Sequence, residues 1–343
     1  MNSLSQRQQD ILTALIEEYI TLAEPVSSGI ITGKYSIQAS PATVRNEMAR
    51  LEQLGYLHQP HASAGRIPTD RAYRFYVNSL MNRNIDIPRE VKLFLEEFEN
   101  FDAQIQRLLE YSSKKLADLT HYTSLILAPR LRKTMFKYLK MSSLEDNRLL
   151  IILMTNTGAI INKLIRLEHP MNQDILEKMT RILNHRLEGM FLGDIHMEFF
   201  SQFNENLPAE ILSNLTLLTR ETLLGDEDRF IYDGAVNLME LPEFQNLSKL
   251  KITMELLEEE KTVAEILKKT LDTQGLKVYI GKEHNLGPIE ECSLITATYK
   301  LGNVSIGTVG VLGPTRMPYQ RIIPVVRNFA TIFSRKITAI ANS

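Results

Sequence analysis

Apolar side chains recur at helical spacing over residues 6–22, where Ile11, Leu12, Leu15, Ile16, Tyr19 and Ile20 share one face. Ala23-Glu24-Pro25 ends that helix. The pattern predicts a second, short helix over 26–34, with Ser27 and Ser28 as candidate caps, and a turn over 33–38. Ser40-Pro41 opens a third helix: serine suits the N-cap, and proline at the first helical position loses no hydrogen bond. Val44, Met48, Leu51 and Leu54 form its buried stripe, and Gly55 stops it. A short strand at 56–58, a tight loop over 59–66 and an extended stretch at 67–69 follow. Thr69 caps one more helix, carrying Tyr73, Tyr76, Val77 and Leu80. Helix, turn, helix and a small hairpin in this order make a winged helix-turn-helix.

Pro88 and Pro129 bracket a region with a seven-residue period. Val91, Phe98, Ile105, Leu119 and Ile126 share one register, with Ser112 in its polar slot, and Phe94, Phe101, Leu108 and Tyr122 follow three residues on. Long linking helices are expected there, packed on their own domain or meeting a partner subunit. From residue 134 the pattern turns to strands, at 135–141, 149–154 and 160–167, with Asn156-Thr157-Gly158 as a hairpin turn. Residues 170–272 read as mainly helical. Strands return at 276–280, 293–301 and 304–312, the last two joined at Gly302-Asn303, and a helix closes the chain from 319 to about 339. Strands, a helical block and more strands suggest an α+β domain with a helical insertion.

At 343 residues the chain should hold two or three domains. The longest purely apolar stretch, 149–154, is far short of the ~20 residues that span a bilayer. One cysteine, Cys292, excludes an internal disulfide framework and a thiolate zinc cluster. A cytoplasmic protein without membrane segments is expected. The net charge of -2 does not mark a nucleic-acid binder, so DNA affinity needs a local patch. Between Lys34 and Arg74 stand six cations (Lys34, Arg45, Arg50, Arg66, Arg71, Arg74) against three anions (Glu47, Glu52, Asp70), leaving +3 beside the third helix.

That helix carries the candidate chemistry. With Val44, Met48 and Leu51 turned inward, Ala42, Thr43, Arg45, Asn46 and Arg50 face out, and Ser40 sits at the helix start. Arginine can donate twice to guanine, and asparagine pairs with adenine. Small residues permit close approach to the groove, and a helix N-terminus favours phosphate. In the loop, His61, Ser63, Gly65 and Arg66 suit a wing on the DNA backbone or in the minor groove. The bland alternatives are solvated arginines, or a domain that binds protein. Other groups carry less. Cys292 with His284 lacks a catalytic frame and reads as a buried structural thiol. His58 and His61 lack further metal ligands. Gly302, Gly307, Gly310 and Gly313 form no phosphate loop. Neither a metal nor a cofactor is expected, and no catalytic set is found.

The stretches Ser40-Pro-Ala-Thr-Val-Arg-Asn-Glu-Met-Ala49, Leu51-Glu52, Gly55-Tyr-Leu57 and Pro60-His-Ala-Ser-Ala-Gly-Arg-Ile-Pro-Thr69 closely resemble the signature of the HrcA family of heat-inducible repressors. So do Ile231-Tyr-Asp-Gly-Ala235, Pro242-Glu-Phe244, Tyr279-Ile-Gly281 and Gly307-Thr-Val-Gly-Val-Leu-Gly-Pro-Thr-Arg-Met317 with Tyr319. Family members often have Thr at Ala62 and Asp at Glu291, departures that leave the reading intact. The resemblance implies a multidomain α+β chain: a winged helix-turn-helix, then a GAF-like α/β domain with an inserted, mainly helical dimerising domain. On this chain the units would span 1–80, linking helices at 81–128, the GAF-like domain at 129–170 and 246–343, and the insertion at 171–245. It also implies a homodimer on double-stranded operator DNA, the CIRCE inverted repeat of groE and dnaK operons, with activity promoted by the GroE chaperonin. A regulator responding to a small molecule in the GAF-like domain is the alternative.

Overall fold

The computed structural model describes residues 4–81, 89–99, 105–129, 131–195, 199, 208–225, 230–285 and 290–342. The N-terminal unit has helices α1 (Gln6–Leu22), α2 (Ser28–Lys34) and α3 (Pro41–Gln53), strands β1 (Leu57–His58) and β2 (Ile67–Pro68), and helix α4 (Asp70–Met81). Ser5 and Gln8 close a reciprocal capping box on α1, a signal the sequence reading missed. Ser27 caps α2, so Val26 lies outside that helix, contrary to expectation. Val26 instead pairs antiparallel with Arg66, as a bridge flanking the β1–β2 hairpin. Ser40 caps α3 by accepting from the Thr43 N–H at 3.2 Å, with Pro41 in the first turn. The helix ends at Gly55, where the Tyr56 N–H reaches back to the Leu51 carbonyl. Thr69 precedes α4, but its hydroxyl turns to the carbonyls of Gly55 and Tyr56, tying α4 to the end of α3.

Helices α5 (Arg89–Glu99) and α6 (Ile105–Thr120) follow, then strand β3 (Thr123–Leu127). The seven-residue pattern therefore overruns a strand: Ile126 belongs to β3 and Tyr122 to the turn before it, while Phe101 lies outside the described residues. All five residues of β3 are buried, so the strand lacks the alternation that would have separated it from a helix. Val91, Phe94, Phe98 and Leu108 pack on their own chain, with Phe94 and Phe98 against Phe329.

Strands β4 (Phe136–Leu144), β5 (Arg148–Thr155) and β6 (Ile160–Arg166) form a separate three-stranded antiparallel sheet. Its inner face (Leu139, Met141, Leu149, Ile151, Leu153, Ile165) packs on α7 (Gln173–Leu187) and α8 (Ala209–Gly225) as an independent core. The strands at 136–166 thus belong with the helices that follow them. They lie on the N-terminal side of the boundary expected at 170, yet share a core with helices beyond it, because a sheet pairs where its apolar face finds cover. On the outer face Tyr138, Ile160 and Leu164 are exposed, and Leu150, Ile152 and Met154 are half-buried between them.

The remaining strands form the body. Strand β7 (Phe230–Asp233), which was expected within the insertion, pairs with β3. Beyond it come helices α9 (Leu247–Glu258) and α10 (Glu260–Thr273), strands β8 (Leu276–Ile280), β9 (Cys292–Leu301) and β10 (Val304–Pro314), and helix α11 (Tyr319–Asn342). The sheet order is β7-β3-β10-β9-β8, antiparallel throughout. Helices α9 and α10 cover one face. Helix α11, with α5 and α6, covers the other in a core that runs without a break into the N-terminal unit, from Ile11 to Phe333.

Cys292 opens β9 inside the α9–α10 core. Burial pushes its thiol up to about 12. The His284 Nε2 lies 3.1 Å from the Cys292 carbonyl oxygen, so its recorded partner there is the backbone. A thiol this basic is inert. Native protein should leave Cys292 unlabelled by an aromatic disulfide reagent, with one thiol per chain appearing in denaturant; rapid labelling of folded protein would contradict this burial.

Candidate nucleic-acid interface

The N-terminal unit holds α3 against α1 and α2 through its buried side. Val44, Met48 and Leu51 join Ile11, Leu12, Leu15 and Ile31 in the core. Polar pins fix the frame. Glu18, nearly fully buried on α1, receives Lys34 Nζ at 2.7 Å and the Tyr35 hydroxyl at 3.1 Å, holding the end of α2. Desolvation, and then the hydrogen bond to Glu18, push the Tyr35 phenol up to about 12. Gln8 on α1 donates to Glu47 on α3 at 2.9 Å.

The outward side of α3 presents Ala42, Arg45, Asn46 and Arg50 to solvent, with Ser40 exposed at its start and Thr43 half-buried. The hydroxyls of Ser40 and Thr43 lie 2.9 Å apart, so both serve the cap. Arg45 makes no ion pair among the described residues. Arg50 is 68% exposed and touches Glu47 at 3.5 Å, a contact of little energetic weight. His61 and Ser63 are exposed at the wing tip.

Two of the wing residues expected to face DNA, Gly65 and Arg66, are tied to the domain's own framework. The Arg66 side chain is 12% exposed, and its Nε and Nη2 both reach Glu52 at 3.0 Å. The other Glu52 oxygen accepts the Gln59 N–H at 3.1 Å, and the Gln59 amide donates to the carbonyls of Ala62 and Ala64. Glu52 at the end of α3 therefore fixes both roots of the wing. Gly65 passes so close to the 25–26 backbone that a Cβ there would lie 2.5 Å from the Val26 carbonyl. The Val26–Arg66 pairing therefore requires glycine at 65. Sequence reasoning missed Glu52 and Gln59. Their signal was slight: one arginine in the 59–66 loop, and Glu52 as the acid near the end of the helix before it.

The local charge is also spent differently from the count. Lys34 pairs with Glu18 and Arg66 with Glu52. Arg71 donates to the Leu54 carbonyl and covers the Tyr56 ring, and Arg74 pairs with Glu283 on the body. Among the described residues, Lys34, Arg45, Arg50 and Arg71 are the exposed cations of that stretch, and of these Arg45 has no ion pair or hydrogen bond to the rest of the protein. Among the same residues no group of His, Cys, Asp or Glu is arranged to hold a metal ion, and no helix is long and apolar enough to cross a membrane.

Residues 3–81 match the family model described as the HrcA winged helix-turn-helix transcription repressor DNA-binding domain, and residues 106–323 match the HrcA protein C-terminal domain. The chain belongs to the HrcA family. Heat-inducible transcription repressor HrcA of Desulforamulus reducens is 36% identical over 340 residues, covering 98% of each chain. The protein of that name from Geobacter sulfurreducens is 37% identical over 338 residues, again covering 98% of each chain. A crystal structure described as a hypothetical protein is 26% identical, with a TM-score of 0.64 over 98% of each chain. The relatives' name is that of a transcription repressor, a role without catalysis. Within this HrcA chain the winged helix is the unit that the DNA-binding model covers, and the outward side of α3 and the tip of the wing are among its exposed parts.

The Glu52–Arg66 pair is largely shielded, so removing either partner strands the other. Glu52→Gln and Arg66→Ala should each cost about 1–3 kcal/mol in chemical denaturation, and the double variant no more than the worse single. Additive losses would show that the two side chains act separately.

Proposed function

We propose that this chain is a sequence-specific repressor that reads operator DNA with the outward face of α3. The observation that carries the reading is the combination of exposed Arg45 and Asn46 with a wing root locked beside them. A helix held by its apolar side and a clamped loop cost little to order on binding. Arg45 and Asn46 have the donors and acceptors that distinguish base edges in the major groove. Ser40, Ala42 and Thr43 bring the helix start close to phosphate, Arg50 adds charge at the far end, and His61 and Ser63 touch the neighbouring backbone.

One such helix covers only a few base pairs, so the protein acts as a homodimer on an inverted repeat. The apolar outer face of the β4–β6 sheet supports this, since a face of that composition on an inserted unit is suited to a second copy. The body takes the part of the GAF-like domain. By its family resemblance the operator is CIRCE, in front of the groE and dnaK operons, and the GroE chaperonin promotes the active form.

Arg45→Ala should weaken binding to a CIRCE duplex by roughly 1–3 kcal/mol, about 5- to 150-fold in a gel-shift titration. Binding to unrelated duplex should change far less. Unchanged operator affinity would remove Arg45 from base reading.

A further inference from the structure

The motifs around residues 243, 279–281 and 307–317 take no part in the interface described above, yet they converge on the N-terminal unit. The strand and turn at 278–283 receive the first turns of α4. Arg74 pairs through its Nε and Nη2 with the Glu283 carboxylate, and its Nη2 also donates to the Val278 carbonyl at 2.5 Å. Glu283 is itself held by the Ile280 N–H at 2.9 Å. Asp70, one turn earlier on α4, presses on the turn so closely that a Cβ on Gly281 would lie 2.1 Å from its carboxylate oxygen. Gly281 also has φ +54, so only glycine suits both demands. A second tie lies across the seam: Arg316 pairs with Glu243 and donates to the Ile20 carbonyl at the end of α1 at 3.1 Å. Between the ties the Tyr73 and Tyr319 rings meet at 6.0 Å, inside the shared core.

We infer that Arg74 and Glu283 are positioning residues for operator recognition: they set the angle of the winged helix on the body, and through it the half-site spacing a dimer accepts. The inference rests on the reading of the chain as a dimeric operator binder. Helix α4 is rigidly part of the winged helix, because Tyr73, Tyr76 and Val77 are buried with α1 and the Tyr76 hydroxyl bonds Glu17. Any rotation of α4 on the turn at 278–283 is therefore carried to α3. A bidentate guanidinium–carboxylate pair is directional, whereas apolar contact is not, so the latch sharpens the angle at which the shared core holds the winged helix. Two heads fixed in this way bind an inverted repeat as one rigid caliper. Two heads that swivel bind each half-site as well as before, but gain less from being joined.

The experiment titrates full-length protein against inverted-repeat duplexes whose spacer is native, longer by about 5 bp, or longer by about 10 bp, and against a single half-site. Native protein should lose most of its affinity at the half-turn insertion, which puts the half-sites on opposite faces of the duplex. Arg74→Ala and Glu283→Gln should lower affinity for the native spacing roughly tenfold, flatten the dependence on spacer length, and leave half-site binding and the melting temperature nearly unchanged. Glu283→Gln keeps the side-chain volume and serves if Arg74→Ala does not fold. A spacer profile in the variants as steep as that of the native protein overturns the inference. Native protein that ignores the inverted repeat altogether overturns the dimer reading instead, and an equal loss on half-site and full site assigns the pair to the winged helix itself.

Discussion

Helix α4 is packed on two sides at once, and the arrangement of the molecule depends on it. One side completes the winged helix through Tyr73, Tyr76 and Val77; the other, through Asp70 and Arg74, seats on the turn after β8. The cores on the two sides are continuous, so the reading unit is not a bead on a flexible string. Burial of apolar surface gives this joint its strength, and the charged contacts at its edges give it direction. The outward face of α3 is the complement of that joint: with α1, α2 and the body claiming the inner surfaces of the unit, it is left to solvent.

Charge is used sparingly. The net charge is -2, and five of the six cations counted near α3 touch the protein's own carboxylates or carbonyls, Arg50 only loosely. These engaged cations shape the site. Arg66 with Glu52 and Gln59 holds the wing, and Lys34 with Glu18 holds the helix-turn-helix pair. A reading surface built in this way has few free cations and depends on geometry, which suits recognition of sequence more than tight binding to any duplex.

Much of the N-terminal unit was legible because its signals are local. Ser40-Pro41 and Gly55 bound α3, and the stripe of Val44, Met48 and Leu51 leaves Arg45 and Asn46 on the opposite side. The misreadings share one cause, which is that the deciding partner is distant in sequence. Val26 leaves its helix for a pairing with residue 66, and Arg66 turns inward for Glu52. Strand β3 pairs along both edges with strands more than a hundred residues away, and its apolar run, buried throughout, imitates a heptad. The three strands at 136–166 looked like the start of the body, yet pair among themselves, because the strands that flank β3 in the body sheet come from 230–233 and 304–314. The glycine and arginine motifs of the C-terminal half had no visible chemistry in sequence. In the fold Gly281 accommodates Asp70, and Arg316 reaches the end of α1.

The central claim, that the outward face of α3 reads base edges in the major groove, is tested most directly by methylation interference on an operator duplex. Methylating guanine N7 adds bulk and charge on the major-groove edge and leaves the phosphates untouched. The account predicts strong interference at guanines in both half-sites, placed symmetrically about the centre of the repeat, and none at the centre. Full binding to heavily N7-methylated operator would contradict it.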